Sequence, residues 1–114
     1  MHEMKVTESL LVISLRYADN ANVGHITALN IVIGQISSII DDSIQFYWDI
    51  LARGTKAEGA LLNFHRIPTQ FTCQDCSFVF KPQTDSFYCP QCNSSNIKLT
   101  AGTEFFLESI EVEN

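Results

Sequence analysis

Four cysteines constrain this chain more than anything else in it. Cys73, Cys76, Cys89 and Cys92 are the only four among 114 residues, and they form two C-x-x-C pairs, Cys73-Gln74-Asp75-Cys76 and Cys89-Pro90-Gln91-Cys92, with twelve residues between them. Two such pairs predict a tetrahedral zinc site, because each tight turn aims two sulfurs inward and the two turns together supply four thiolates. A redox-active C-x-x-C needs only one pair and a β-α-β context that the surrounding sequence does not offer. Two disulfides would be the reading in a secreted protein. A closed site of four thiolates leaves no open coordination position, so zinc there is expected to hold the fold rather than to catalyse.

Size and charge narrow the function. The chain is long enough for one domain carrying a minidomain. Its formal net charge is −6. Nucleic acid is disfavoured as a partner: around the cysteines only Lys81 and Lys98 face Asp75, Asp85 and Glu104, too little positive charge to displace counterions from phosphates. No secretory signal is expected, since Glu3 and Glu8 stand where a basic region should and the apolar run from Leu10 to Leu15 is short and broken by Ser14. No segment is long enough to span a membrane. Unpaired thiols fit a reducing cytoplasm.

Periodicity gives a coarse fold. Val6, Leu10, Ile13 and Tyr17 recur at helical spacing and predict a helix from about Thr7 to Tyr17, ended by the turn cluster Asp19-Asn20-Ala21-Asn22. His25 to Ile33 is β-rich, with Leu29, Ile31 and Ile33 alternating. Asp41, Asp42 and Ser43 look like the N-cap region of a second helix through Ile44, Trp48 and Leu51, with Gly54 as its stop and Phe46 and Trp48 in the core. A strand follows from Ala60 to Ile67, with Leu62 and Phe64 facing one way and Asn63 and His65 the other. Asn96 to Thr100 returns as a ribbon strand, and Phe105 to Val112 is the last strand. The expected class is α+β: a small three-stranded sheet with two helices, interrupted by a zinc-ribbon minidomain. Residues 1–68 plus 102–114 form the main domain and residues 69–101 the ribbon.

The start of the chain, Met1-His2-Glu3, has its own metal chemistry. A bulky second residue is expected to block removal of the initiator methionine, which keeps His2 in place. The α-amine, the amide nitrogen between residues 1 and 2 and an imidazole nitrogen can then chelate one ion, and the amide nitrogen of Glu3 can complete a plane of four. Planar nitrogen ligation suits Ni(II) or Cu(II) and not tetrahedral Zn(II). A flexible terminus that merely happens to carry histidine is the plain alternative. His25 and His65 lack a partner at ligand spacing and read as structural. The few glycines form no phosphate loop, and no Ser-His-Asp or Cys-His arrangement is supported, so no enzyme is expected.

Met1-His2-Glu3-Met4, Ile33-Gly34, the two cysteine pairs and the ending Glu104-Phe105-Phe106-Leu107-Glu108-Ser109-Ile110-Glu111-Val112 together resemble the HypA/HybF family of nickel-insertion accessory proteins for [NiFe]-hydrogenase, over essentially the whole chain. The resemblance implies a nickel metallochaperone in protein maturation. His2 would be the Ni(II) ligand, assisted by backbone groups of Met1, His2 and Glu3, and Cys73, Cys76, Cys89 and Cys92 would hold structural Zn(II). It also implies a nickel-binding GTPase and the hydrogenase large subunit as partners, and leaves monomer and homodimer both open. Two features depart from the pattern. Ser77 and Asn93 follow the second cysteine of each pair where glycine is common, and Lys5 replaces a small polar residue. The rival reading is a zinc-ribbon interaction adaptor with no nickel role.

Overall fold

A computed structural model describes residues 3–39, 41–82 and 86–114. The elements in chain order are α1 (Glu3–Asn20), β1 (His25–Gly34), α2 (Asp41–Leu51), β2 (Leu61–Ile67), β3 (Gln70–Cys73), β4 (Val79–Phe80), β5 (Ile97–Ala101) and β6 (Phe105–Glu113). The strands make two three-stranded sheets, ordered β2-β1-β6 and β4-β3-β5. The expected α+β class and the expected composition of the main sheet both hold. The short strands β3 and β4, beside the cysteines, were not anticipated. Both lie close to the metal-binding turns, where period-two patterning has too few residues to register.

The chain divides into two compact units. One comprises Met1–Val32, Ser38–His65 and Phe106–Asn114; the other comprises Ile33–Ser37 and Arg66–Phe105. In the first, α1 packs against α2, and the core is built from Leu10, Ile26, Leu29, Ile31, Ile44 and Trp48. Strand β1 lies in the middle of its sheet and is almost continuously buried. That suits a strand rich in β-branched and aliphatic residues, interrupted by Asn30 on its half-buried side.

Helix α1 corrects the expected stripe. Its buried residues are Thr7, Leu10, Ser14 and Ala18, whereas Ile13 is 39% and Tyr17 62% exposed. Both stripes have helical spacing, and the one with smaller side chains faces inward. Thr7 and Ser14 can be buried because each hydroxyl donates to a carbonyl of its own helix, Thr7 Oγ1 to Glu3 O and Ser14 Oγ to Leu11 O at 3.0 Å. The helix ends as expected. Asn22 has φ of 55°, its N–H donates to Asp19 O at 3.2 Å, and that of Val23 donates to Ala18 O at 3.1 Å. This is a Schellman motif with asparagine in the left-handed position.

In α2, Trp48 is fully buried but Phe46 is 60% exposed, which corrects the expectation that both are core. Ile44 and Trp48, four apart, fill the inward stripe, and Phe46 falls on the opposite side. Asp41 and Asp42 occupy the first turn of α2, where their charge opposes the positive end of the helix dipole. The turn after α2 passes through Gly54 at φ of +77°.

The second unit depends on a close backbone approach. A Cβ at Gly34 would meet Gly102 O at 2.0 Å and Thr103 N at 2.5 Å. Around this contact Gly34 N donates to Glu104 O at 2.7 Å, Ile36 N to Gly102 O at 3.0 Å and Gln35 N to Ile67 O at 2.8 Å. Backbone atoms on both sides cannot move aside cheaply, so the residue after Ile33 has to be glycine. We expect Gly34→Ala to destabilise this unit by about 2 kcal/mol or more, read as an earlier unfolding transition in thermal denaturation. An unchanged transition would show that the two segments can separate without loss.

Candidate metal centre

The two cysteine pairs fold as copies of one turn. In the first, Ser77 N donates to Cys73 O at 2.9 Å and Cys73 N to Phe78 O at 2.9 Å; in the second, Asn93 N donates to Cys89 O at 2.8 Å and Cys89 N to Ser94 O at 2.8 Å. Each turn needs a residue in the left-handed region just after its second cysteine. Ser77 and Asn93 take that conformation, with φ of 66° and 60°. The departure from glycine therefore leaves the turn geometry intact, at the modest strain of a side chain in the left-handed region.

The sulfurs converge. All four ligand atoms lie within 4.8 Å of one another, with Cys73 Sγ 3.5 Å from Cys92 Sγ and Cys76 Sγ 3.6 Å from Cys89 Sγ. A tetrahedral ion with Zn–S bonds of about 2.3 Å places its sulfurs about 3.8 Å apart, so the spacing fits one zinc ion. It does not fit disulfides, whose sulfurs are about 2.05 Å apart. Cys73 and Cys89 are buried and Cys76 and Cys92 exposed.

Backbone dipoles prepare the site for thiolates. Burial opposes charge on Cys89, but the N–H groups of Cys92 and Gln91 outweigh it and hold its pKa at about 7; Gln91 N lies 3.4 Å from the sulfur. At Cys92 the N–H of Ser94 favours the thiolate, yet the neighbouring Cys73 sulfur and burial push the pKa up to about 12. Four sulfurs this close cannot all ionise without a cation among them.

A polar clasp fixes one turn to the other. Asp75 lies within the first pair and accepts from the Ser94 hydroxyl and from Asn96 Nδ2 at 3.3 Å. Gln74 N donates to Asn96 O at 2.8 Å. The Ser94 and then the Asn96 bond hold the Asp75 carboxyl below its usual pKa. The spacing of the cysteines did not reveal this clasp; an acid inside the first pair and two amide or hydroxyl residues after the second were the only signals.

The apolar core beside the sulfurs is small. Phe80 packs with Cys73 and Cys89, flanked by Phe71 and Ile97, and the rings of Phe71 and Phe80 stack at 5.9 Å. Burying one phenylalanine contributes about 2 kcal/mol, whereas zinc binding to comparable small sites supplies roughly 10–16 kcal/mol. The metal dominates.

Among the described residues the four cysteines are the only group of three or more such side chains able to share an ion. His25 and His65 belong to no such group among the described residues. Met1 and His2 lie outside the described residues, and Glu3 opens α1. Also among the described residues, no helix is long and apolar enough to cross a membrane.

Fold and thiol cluster together define a small α+β protein with a zinc-ribbon unit. The family model described as "Hydrogenase/urease nickel incorporation, metallochaperone, hypA" matches residues 1–112, and the chain belongs to that family. It is 41% identical over 114 residues to the hydrogenase maturation factor HypA of Dehalococcoides mccartyi, covering 100% of this chain and 96% of that protein. It is 32% identical over 113 residues to the hydrogenase maturation factor HybF of Escherichia coli O157:H7, covering 99% and 100%. The solution structure of the Ni metallochaperone HypA from Helicobacter pylori aligns with a TM-score of 0.69 at 28% identity, covering 99% of this chain and 98% of that one.

Two outcomes follow for the metal centre. Cys73→Ala should abolish stoichiometric zinc retention and the ordered structure of the ribbon while most helical circular dichroism remains, because α1 and α2 have a core of their own. Asp75→Ala should keep zinc but release it to a chelator about tenfold faster, the scale of losing an outer-shell contact. Equal release from the two proteins would show that the clasp is not coupled to the metal.

Proposed function

We propose that this chain binds Ni(II) at its amino terminus and hands it on during the maturation of [NiFe]-hydrogenase. Membership of a nickel-incorporation family over residues 1–112 carries this reading. The chemistry of the chain supports it. The thiols are gathered in a closed set of their own, and His2 stands at the amino terminus beside the α-amine. We assign the His2 imidazole, the α-amine of Met1 and the backbone nitrogens of His2 and Glu3 as the nickel donors, and Cys73, Cys76, Cys89 and Cys92 as the ligands of a structural zinc ion.

Amide nitrogens bind only when deprotonated, so nickel affinity should rise with pH. An exposed terminal chelate can also be taken apart one donor at a time by an incoming protein, which suits cargo rather than a retained cofactor. On this reading the protein is not itself an enzyme. It works in the cytoplasm beside a nickel-binding GTPase and the hydrogenase large subunit.

Nickel titration of tag-free protein beginning at Met1 tests the assignment. His2→Ala should weaken nickel binding by more than about a hundredfold, beyond the range of outer-shell changes, with zinc content and fold unchanged. A short extension before Met1 should do the same, since it converts the amine to an amide. Zinc should fail to compete. Nickel affinity that survives both changes would remove the terminus from the mechanism and favour an adaptor role for the ribbon.

A further inference from the structure

Strand β6 is an edge strand of its sheet, and among the described residues no other strand pairs with its outer side. Along it runs a cavity of about 440 Å³ lined by Tyr17, Val23 and the consecutive residues Leu107, Glu108, Ser109 and Ile110 among others. Side chains alternate between the two faces of a strand, so consecutive residues can line one cavity only where the strand's edge itself is open to it. The cavity is therefore a channel along unpaired backbone, with Tyr17 and Val23 as its apolar far wall. Tyr17, 62% exposed, is available here.

Charge says what fits. Strand β6 carries Glu108, Glu111 and Glu113 and no basic residue. Glu111 accepts from Asn30 Nδ2 at 3.2 Å, while Glu108, in the channel, has no ion-pair partner among the described residues. A second copy pairing antiparallel along this edge would bring together two strands that each carry three glutamates and no basic residue, and like charges across a strand pair are destabilising. We propose that the outer edge of β6 receives an extended segment of a partner protein in which apolar and basic residues alternate, adding a fourth strand to the β2-β1-β6 sheet. Backbone hydrogen bonds supply the affinity, the apolar residues lie against Tyr17 and Val23, and the basic ones meet Glu108.

The test uses the full zinc-loaded chain and a fluorescein-labelled decapeptide of alternating valine and lysine. The peptide should bind by fluorescence anisotropy, more weakly at high salt, and should slow amide exchange at Leu107–Ile110. Replacing its lysines by glutamate should abolish binding, and two central prolines, which cannot donate to a ladder, should weaken it about tenfold or more. Tyr17→Asp and Glu108→Lys, both at exposed positions, should each weaken it about tenfold with circular dichroism unchanged. Binding that survives the prolines, or that leaves the β6 amides unprotected, would reduce the effect to diffuse charge attraction and overturn the proposal. Protection of those amides that grows with protein concentration in the absence of peptide would overturn it in favour of self-pairing.

Discussion

Thiolates repel one another, and four of them within 4.8 Å are tolerable only around a cation. The second unit is organised by that condition. Its two turns are built alike, each closed by the same pair of backbone hydrogen bonds and each tolerating a non-glycine residue in the left-handed region. The N–H groups that point at sulfur favour charge on Cys89, while the crowding of sulfurs disfavours it on Cys92. A divalent ion removes the conflict at once, and no apolar contact in so small a core could replace it.

The thiol cluster and the proposed nickel site differ in chemistry. Soft, tetrahedral thiolates suit zinc, and a plane of nitrogens suits nickel. A chaperone gains from this division. The ion that maintains shape is enclosed by ligands held on rigid turns, whereas the proposed cargo site uses few side chains and stays open to attack.

Much of the metal centre was legible in the sequence, because ligand spacing is a local property: two pairs at fixed offsets define two turns whatever the rest of the chain does. The α+β class and the strands of the main sheet were legible for a similar reason, since β1 and β6 are long enough to show their pattern. The orientation of α1 was not. Hydrophobicity favoured Val6, Ile13 and Tyr17, but the buried face belongs to Thr7, Ser14 and Ala18, whose fit depends on how closely neighbouring elements approach. Phe46 was misplaced because one aromatic residue looks like another until its direction on the helix is known. The Asp75 clasp and the Gly34 contact join residues far apart in sequence, and single-chain patterning carries no information about such pairs.

The contact between Gly34 and the segment around Gly102 also bears on the order in which the molecule can assemble. Each cysteine turn closes within a handful of residues, so both can form early and at little entropic cost. The bond from Gly34 N to Glu104 O joins positions about 70 residues apart, and closing a loop of that length is dearer, although only logarithmically so. During synthesis β1 and α2 emerge long before Glu104 exists, so the amides of Gly34 and Ile36 must wait for the acceptors Glu104 O and Gly102 O until the ribbon has been made. The ribbon is thus a late-arriving partner for the end of β1, and a nascent chain stalled before residue 104 would carry its helices and its cysteine turns but leave that strand end without its cover.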